Sequence, residues 1–220
     1  MATIYGTANN DTLFGTSGND AIYAGMGRDY ILASGGRDFY SLGYRTSAPY
    51  LRWGFSDYDT VNYRDAWSSM GLASSTTLSI RADLQLGTVV KYDGATALGT
   101  DTLEGADFLH GTDASDILRG RDTWHYEEFY GNGGDDLIDG RGNEDWAGYN
   151  AAASGVTVDM AAGTVTSTDP LTGNDTLREI EAVVGSMFDD VYVATGYGGA
   201  STNRNSWGQE WNLFSPLAGN

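Results

Sequence analysis

Aspartate recurs at a fixed interval near the start of the chain. Asp11, Asp20, Asp29 and Asp38 each take the sixth place of a nine-residue unit, in four consecutive units between Gly6 and Ser41: GTANNDTLF, GTSGNDAIY, AGMGRDYIL and ASGGRDFYS. The eighth place is always large and apolar: Leu13, Ile22, Ile31, Tyr40. The fourth place is Asn9, Gly18, Gly27 or Gly36, the two residue types that most readily adopt a left-handed backbone. Carboxylates repeated at a constant step, among turns rich in glycine carbonyls, suit a hard cation. Calcium takes roughly six to eight oxygen ligands in flexible geometry, and side-chain carboxylates plus backbone carbonyls supply them.

Such residues need a periodic scaffold. Six small or polar residues make a turn, and three with a central apolar side chain make a short strand. Two units form one coil, and coils stack at the strand spacing of ~4.8 Å. Asp11 is then expected over Asp29, and Asp20 over Asp38. Neighbouring carboxylates repel unless a cation lies between them. A period of this length is also the mark of a solenoid. The pattern predicts an all-β chain, a parallel β-roll with calcium sites laddered along its edges.

The pattern G-G-x-G-x-D-x-(apolar)-x resembles the RTX, or hemolysin-type, calcium-binding repeats of secreted bacterial proteins. The four units keep the aspartate and the apolar eighth place. They depart from the family at the leading glycines, where Thr7, Thr16, Ala24, Ala33 and Ser34 stand, and Arg28 and Arg37 flank the aspartates. The resemblance implies a right-handed β-roll or β-helix solenoid folded by calcium. It also implies export by a one-step route without a cleaved leader, hence a secreted or cell-surface location.

The rest of the chain alternates repeats with insertions. A nonapeptide block (1–41) is followed by an aromatic-rich loop (42–58), and the phase resumes at Asp59. A long repeat module (59–118) contains LSIRADLQLGTVV, read as two strands about a turn at Gly87 to Val89. It ends on Asp107 and Asp116, with Leu109 and Leu118 at the apolar place. A loop (119–130) precedes a second nonapeptide block (131–148) carrying Asp136 and Asp145, with Ile138 as its apolar residue. Counted in half-coils, Asp59 is expected against Asp29, Asp107 against Asp136, and Asp116 against Asp145. A second long module (149–192) duplicates the first: Asp159 matches Asp83, Asp175 matches Asp101, Glu181 matches Asp107 and Asp190 matches Asp116. The candidate metal ligands are therefore Asp11, Asp20, Asp29, Asp38, Asp59, Asp107, Asp116, Asp136, Asp145 and Asp190. The one helix candidate, Leu177 to Val184, reads as strand or coil by analogy with its partner. The last segment (193–220) is a loop and an incomplete repeat, as expected of a piece of a longer array or of an end that stacks on another chain.

Composition narrows the partners. Twelve basic against 30 acidic residues give a net charge of −18, which argues against nucleic acid and anionic membranes and favours cations. Hydrophobic residues make up 40% of the chain, enough for a core despite 31 glycines. There is no cysteine, so bound metal is the available staple outside the cell. The stretch MATIYGTANN lacks the features of a signal peptide, and no apolar run approaches a transmembrane helix.

The insertions carry Trp53, Trp124, Trp207 and Trp211, expected either to fold over the roll or to offer an aromatic platform to a glycan or a neighbouring protein. His110 and His125 form no zinc motif, and no nucleophile elbow is present, so no catalysis is expected. Two functions suit the pattern. One is a calcium-folded structural or adhesive module (adhesin, surface layer or filament) that self-associates end to end. The other is the non-catalytic accessory region of a secreted enzyme, such as a protease, lipase or polysaccharide epimerase. In both, Asp20→Ala or Asp29→Ala is expected to weaken calcium-induced folding and Trp124→Ala to spare it.

Overall fold

The structure is a computed structural model and describes residues 1–43, 58–72, 74–123, 126–204 and 211–217. It is all-β, and short strands follow one another along the chain. The first six are β1 (Thr3–Tyr5), β2 (Thr12–Phe14), β3 (Ala21–Tyr23), β4 (Tyr30–Leu32), β5 (Phe39–Ser41) and β6 (Thr60–Asn62). A single turn of helix, α1 (Ala66–Ser69), precedes β7 (Leu78–Asp83), β8 (Thr88–Asp93) and β9 (Thr96–Glu104). Next come β10 (Phe108–His110), β11 (Ile117–Arg119), β12 (Glu127–Tyr130), β13 (Leu137–Asp139) and β14 (Asp145–Gly148). The remainder are β15 (Val156–Asp159), β16 (Thr164–Ser167), β17 (Asn174–Arg178), β18 (Ala182–Val184), β19 (Val191–Val193) and β20 (Leu213–Ser215).

The strands sort into two sheets. One runs β2-β4-β6-β10-β12-β14-β18-β20, and all its pairs are parallel. The other runs β1-β3-β5-β9-β8-β7-β11-β13-β17-β16-β15-β19. The alternation of consecutive strands between sheets is the coil read from the sequence, and the registers follow it: Ile4, Ile22 and Tyr40 align, as do Leu13, Ile31 and Val61. Their side chains point between the sheets. Ile22, Ile31, Tyr40, Leu109, Leu118 and Ile138 are fully buried, and Leu13, on the edge strand β2, is half-buried.

Two features depart from the expected roll. Each long module inserts an antiparallel meander into the larger sheet: β7-β8-β9 and β15-β16-β17 pair antiparallel before parallel pairing resumes. The duplication is thus a duplication of topology, since β7 then pairs with β11 and β15 with β19. Residues 119–130 are not simply a loop, because β11 ends and β12 forms within them. Glu127–Tyr130 is a half-coil of its own, which shifts the count across it. Leu177 to Val184 contains strand at both ends, as its partner segment does. Opposite the first meander, Tyr63 and Ala66 are buried, and Trp67, Met70 and Leu72 pack against the core.

Candidate metal ladder

Each candidate aspartate sits immediately before, or at the start of, a three- or four-residue strand, so the parallel register stacks them into two ladders. One contains Asp11, Asp29, Asp59, Asp107, Glu127, Asp145 and Glu181. The other has two runs. Asp20, Asp38 and Asp101 stand before the first meander, and Asp116, Asp136 and Asp175 stand between the two. Asp190 follows the second meander. The expected pairs Asp11–Asp29, Asp20–Asp38 and Asp29–Asp59 are found. Asp107–Asp136 and Asp116–Asp145 are not: the extra half-coil at β12 places Asp136 against Asp116, and Glu127 between Asp107 and Asp145.

The carboxylates do not face one another. Most turn one oxygen to the backbone N–H of the residue one coil earlier. The amides of Asp11, Asp20, Asp116 and Asp136 donate to Asp29, Asp38, Asp136 and Asp175 at 2.7 to 2.9 Å. Glu127 and Asp145 donate to Asp145 and Glu181 in the same way. Where a meander interrupts the ladder, an apolar residue fills the donor's place: Ile80 donates to Asp116 at 2.6 Å and Val156 to Asp190 at 2.9 Å.

The second carboxylate oxygen points into its own turn, and there the turns fall into two kinds. In the first, Thr or Ser holds the second place. The amide and hydroxyl of Thr7, Thr16, Thr112 and Ser186 donate to Asp11, Asp20, Asp116 and Asp190. The same hydroxyls accept from Asn9, Gly18, Ala114 and Phe188 in the fourth place. These turns close on themselves. Neither Asn9 nor Gly18 takes a positive φ there, contrary to the expectation from their type, because the hydroxyl supplies the closing contact.

In the second kind the backbone turns through left-handed residues. The Gly36 turn belongs here although Ser34 holds its second place, because the Ser34 hydroxyl donates to Asp38 while its amide donates to Tyr40 Oη. The fourth places Gly27, Gly36, Gly134 and Asn143 have φ of +109°, +99°, +95° and +89°. In two of these turns the inward oxygen, Asp136 Oδ2 or Asp145 Oδ2, is buried and accepts no hydrogen bond. Gly131 makes the approach possible, since a Cβ there would stand 2.0 Å from Asp136 Oδ2.

The electrostatics follow from burial. Asp116, Asp175 and Glu127 are each pushed up to about 7, chiefly by loss of water, and Asp145 to about 11 by burial and then by Glu127 and Glu181. Asp136 is raised by burial and by Asp175 and Asp116. A ladder of buried acids without enough positive charge holds protons instead. Two basic side chains reach in. Arg121 Nη1 donates to Glu127 Oε1 at 2.5 Å, and Lys91 Nζ donates to Asp101 Oδ1 at 2.6 Å.

These features fit calcium. The donor set is all oxygen, the sites lie in glycine turns, and buried carboxylate oxygens stand unbonded at Asp136 and Asp145. Among the described residues no three His, Cys, Asp or Glu side chains converge as a metal cluster, so carbonyls or water would complete a shell. A family model of the RTX calcium-binding nonapeptide repeat matches the chain in four copies, over residues 5–40, 99–122 and 128–147. No curated protein matches the chain. The fold and ladders define a calcium-binding repeat module of β-roll architecture. Residues 5–40, 99–122 and 128–147 are the segments similar to that repeat.

Four ladder members escaped the sequence reading of ligands: Asp101, Asp175, Glu127 and Glu181. Asp101, Asp175 and Glu181 were matched between the two modules, and that match marked them. Glu127 had only its place before an alternating strand. Trp53, Trp124, His125 and Trp207 lie outside the described residues; Trp211 is half-buried. His110 stacks on Tyr130 at 4.1 Å and is held down to about 4 by burial and by Arg64.

Proposed function

We propose that this chain is a structural segment of a secreted or cell-surface protein, which calcium converts from an extended acidic polymer into a stiff β-roll, and that it catalyses no reaction of its own. The observation that carries this is the pair of buried, unbonded oxygens Asp136 Oδ2 and Asp145 Oδ2 in glycine turns. A cation in each of these two turns would satisfy its unbonded oxygen and would relieve the raised proton affinity around it. With a net charge of −18, the chain repels itself where calcium is scarce. Where calcium is plentiful, ion binding becomes folding free energy. No helix among the described residues is long and apolar enough to cross a membrane.

Self-association end to end is the finer part of the proposal. β1, β2, β19 and β20 each pair with one strand only among the described residues. Their side chains include exposed Tyr5, Phe14, Val191 and Leu213. Unpaired edges of this kind recruit further strands. A calcium titration followed together by circular dichroism and light scattering tests both parts. β-structure that rises with calcium supports the folding role, and scattering that rises with it supports assembly. Unchanged β-structure contradicts the first, and a monomer at saturating calcium contradicts the second.

A further inference from the structure

The two meanders are built alike but hold charge differently. In the first, Asp38 and Asp101 occupy neighbouring rungs, are almost wholly buried, and have Lys91, also fully buried, between them. Lys91 Nζ lies 2.6 and 2.8 Å from the two oxygens of Asp101, 3.7 Å from Asp38 Oδ2 and 2.8 Å from the Ser34 carbonyl. Neutral donors complete the shell: Tyr63 Oη donates to Asp101 Oδ2 at 3.0 Å, and Tyr40 Oη and Ser34 Oγ donate to Asp38 Oδ2 at 2.8 and 3.0 Å. Each carboxylate also accepts a rung amide.

In the second meander the matching rungs are Asp136 and Asp175. By register, Val165 faces Asp175 as Val89 faces Asp101. Ser167 therefore stands where Lys91 stands, and its hydroxyl meets Ser154 instead. Ile138 stands where Tyr40 stands, since each pairs with the leucine after its rung, Leu177 or Leu103. Asp136 Oδ2 is left unbonded.

We propose that the Lys91 ammonium is a tethered cation that takes the place of a calcium ion between Asp38 and Asp101, so that the first meander folds without calcium while the second requires it. The inference rests on the calcium reading above and adds to it an order of events. Strands β5 to β9, around Asp38, Lys91 and Asp101, form a calcium-independent nucleus, and the Asp136–Asp175 region joins it when the ion arrives. A lysine suits the task because its single charge is delivered by the chain at no cost in ion concentration. Its long apolar stem fills the space between the sheets.

Hydrogen exchange of the full chain, in excess EDTA and then in excess calcium, tests it. In EDTA the amides of Thr88–Asp93 and of Thr102 and Leu103 are expected to be protected at least tenfold more than those of Thr164–Ser167, Thr176 and Leu177. Calcium is expected to raise only the second set. Loss of both sets in EDTA, with joint recovery in calcium, would overturn the tethered-cation role and leave the calcium reading intact. Protection of both sets in EDTA would instead overturn the calcium reading itself. Lys91→Met should transfer the first set to the calcium-dependent class. A Lys91→Met chain that keeps full protection of that set in EDTA would also count against the role. The wild-type exchange pattern decides even if that variant fails to fold.

Discussion

The backbone amide of Asp116 donates to the carboxylate of Asp136 at 2.7 Å. That contact is one rung of a repeated device. It lets acidic side chains stack coil upon coil without meeting one another, because a neutral N–H stands between successive charges. It uses one oxygen of each carboxylate and leaves the other to its turn. What the turn offers that second oxygen (a hydroxyl, a lysine or nothing) sets how much each rung depends on an ion.

Turns of the two kinds should therefore respond differently to loss of their aspartate. Asp136→Ala or Asp145→Ala should weaken calcium binding and calcium-induced folding. Asp20→Ala removes the acceptor of three hydrogen bonds, from Thr16 N, Thr16 Oγ1 and Ala2 N. At about 1 kcal/mol each, it should lower stability by similar amounts with and without calcium. Calorimetric titration beside thermal melts of the three variants would separate the classes. Equal loss of calcium affinity in all three would contradict the distinction.

Acid should stabilise the calcium-free chain. Asp116, Asp175 and Glu127 have folded values near 7, above the roughly 4 of an unfolded carboxylate. The folded state thus binds protons more tightly. The stabilisation is full below pH ~4 and is lost as pH rises through about 7. A tenfold difference in proton affinity is worth about 1.4 kcal/mol per group, so Tm in EDTA should fall by several degrees from pH 5 to pH 8. Saturating calcium should flatten that dependence. A Tm in EDTA that rises over the range would show the carboxylates to be stabilised as anions.

Two glycines give a sharp contrast. A Cβ at Gly131 would lie 2.0 Å from Asp136 Oδ2, whereas one at Gly18 meets nothing closer than 3.8 Å, and Gly18 has no positive φ. Gly131→Ala should abolish calcium-dependent ordering of the 131–136 turn, read from its exchange protection. Gly18→Ala should change Tm by little. The reverse order would place the critical turn elsewhere.

The core should behave as a stack rather than as independent layers. Phe129 is fully buried and registers with Leu109 on one side and Ala147 on the other. Phe129→Ala should cost about 3–5 kcal/mol in calcium, measured by denaturant unfolding. A cost below about 1 kcal/mol would mean that the space beside Ala147 collapses readily.

Much of this was legible in the residues because the repeat is strict where it matters. Asp11 to Asp38 and their apolar partners fix both period and phase, so the first two coils and their registers follow directly. The match of Asp175 to Asp101 foretold the shared topology. The count failed at residues 119–130, because Glu127–Tyr130 carries no Gly-Asp signature to mark its half-coil, and two rung pairings were misassigned in consequence. The hydroxyl-closed turns were visible only as departures from the repeat. Lys91 left a signal that was not used: strand alternation from Val89 puts it inward, where an unpaired lysine is too costly.

Thermal melting of the purified chain by far-ultraviolet circular dichroism, in millimolar calcium and then in excess EDTA at pH 7.5, tests the central claim most directly. The ladder predicts a marked loss of β-structure or of melting temperature in EDTA, reversed when calcium is restored. Identical spectra and identical melting in the two conditions would contradict it.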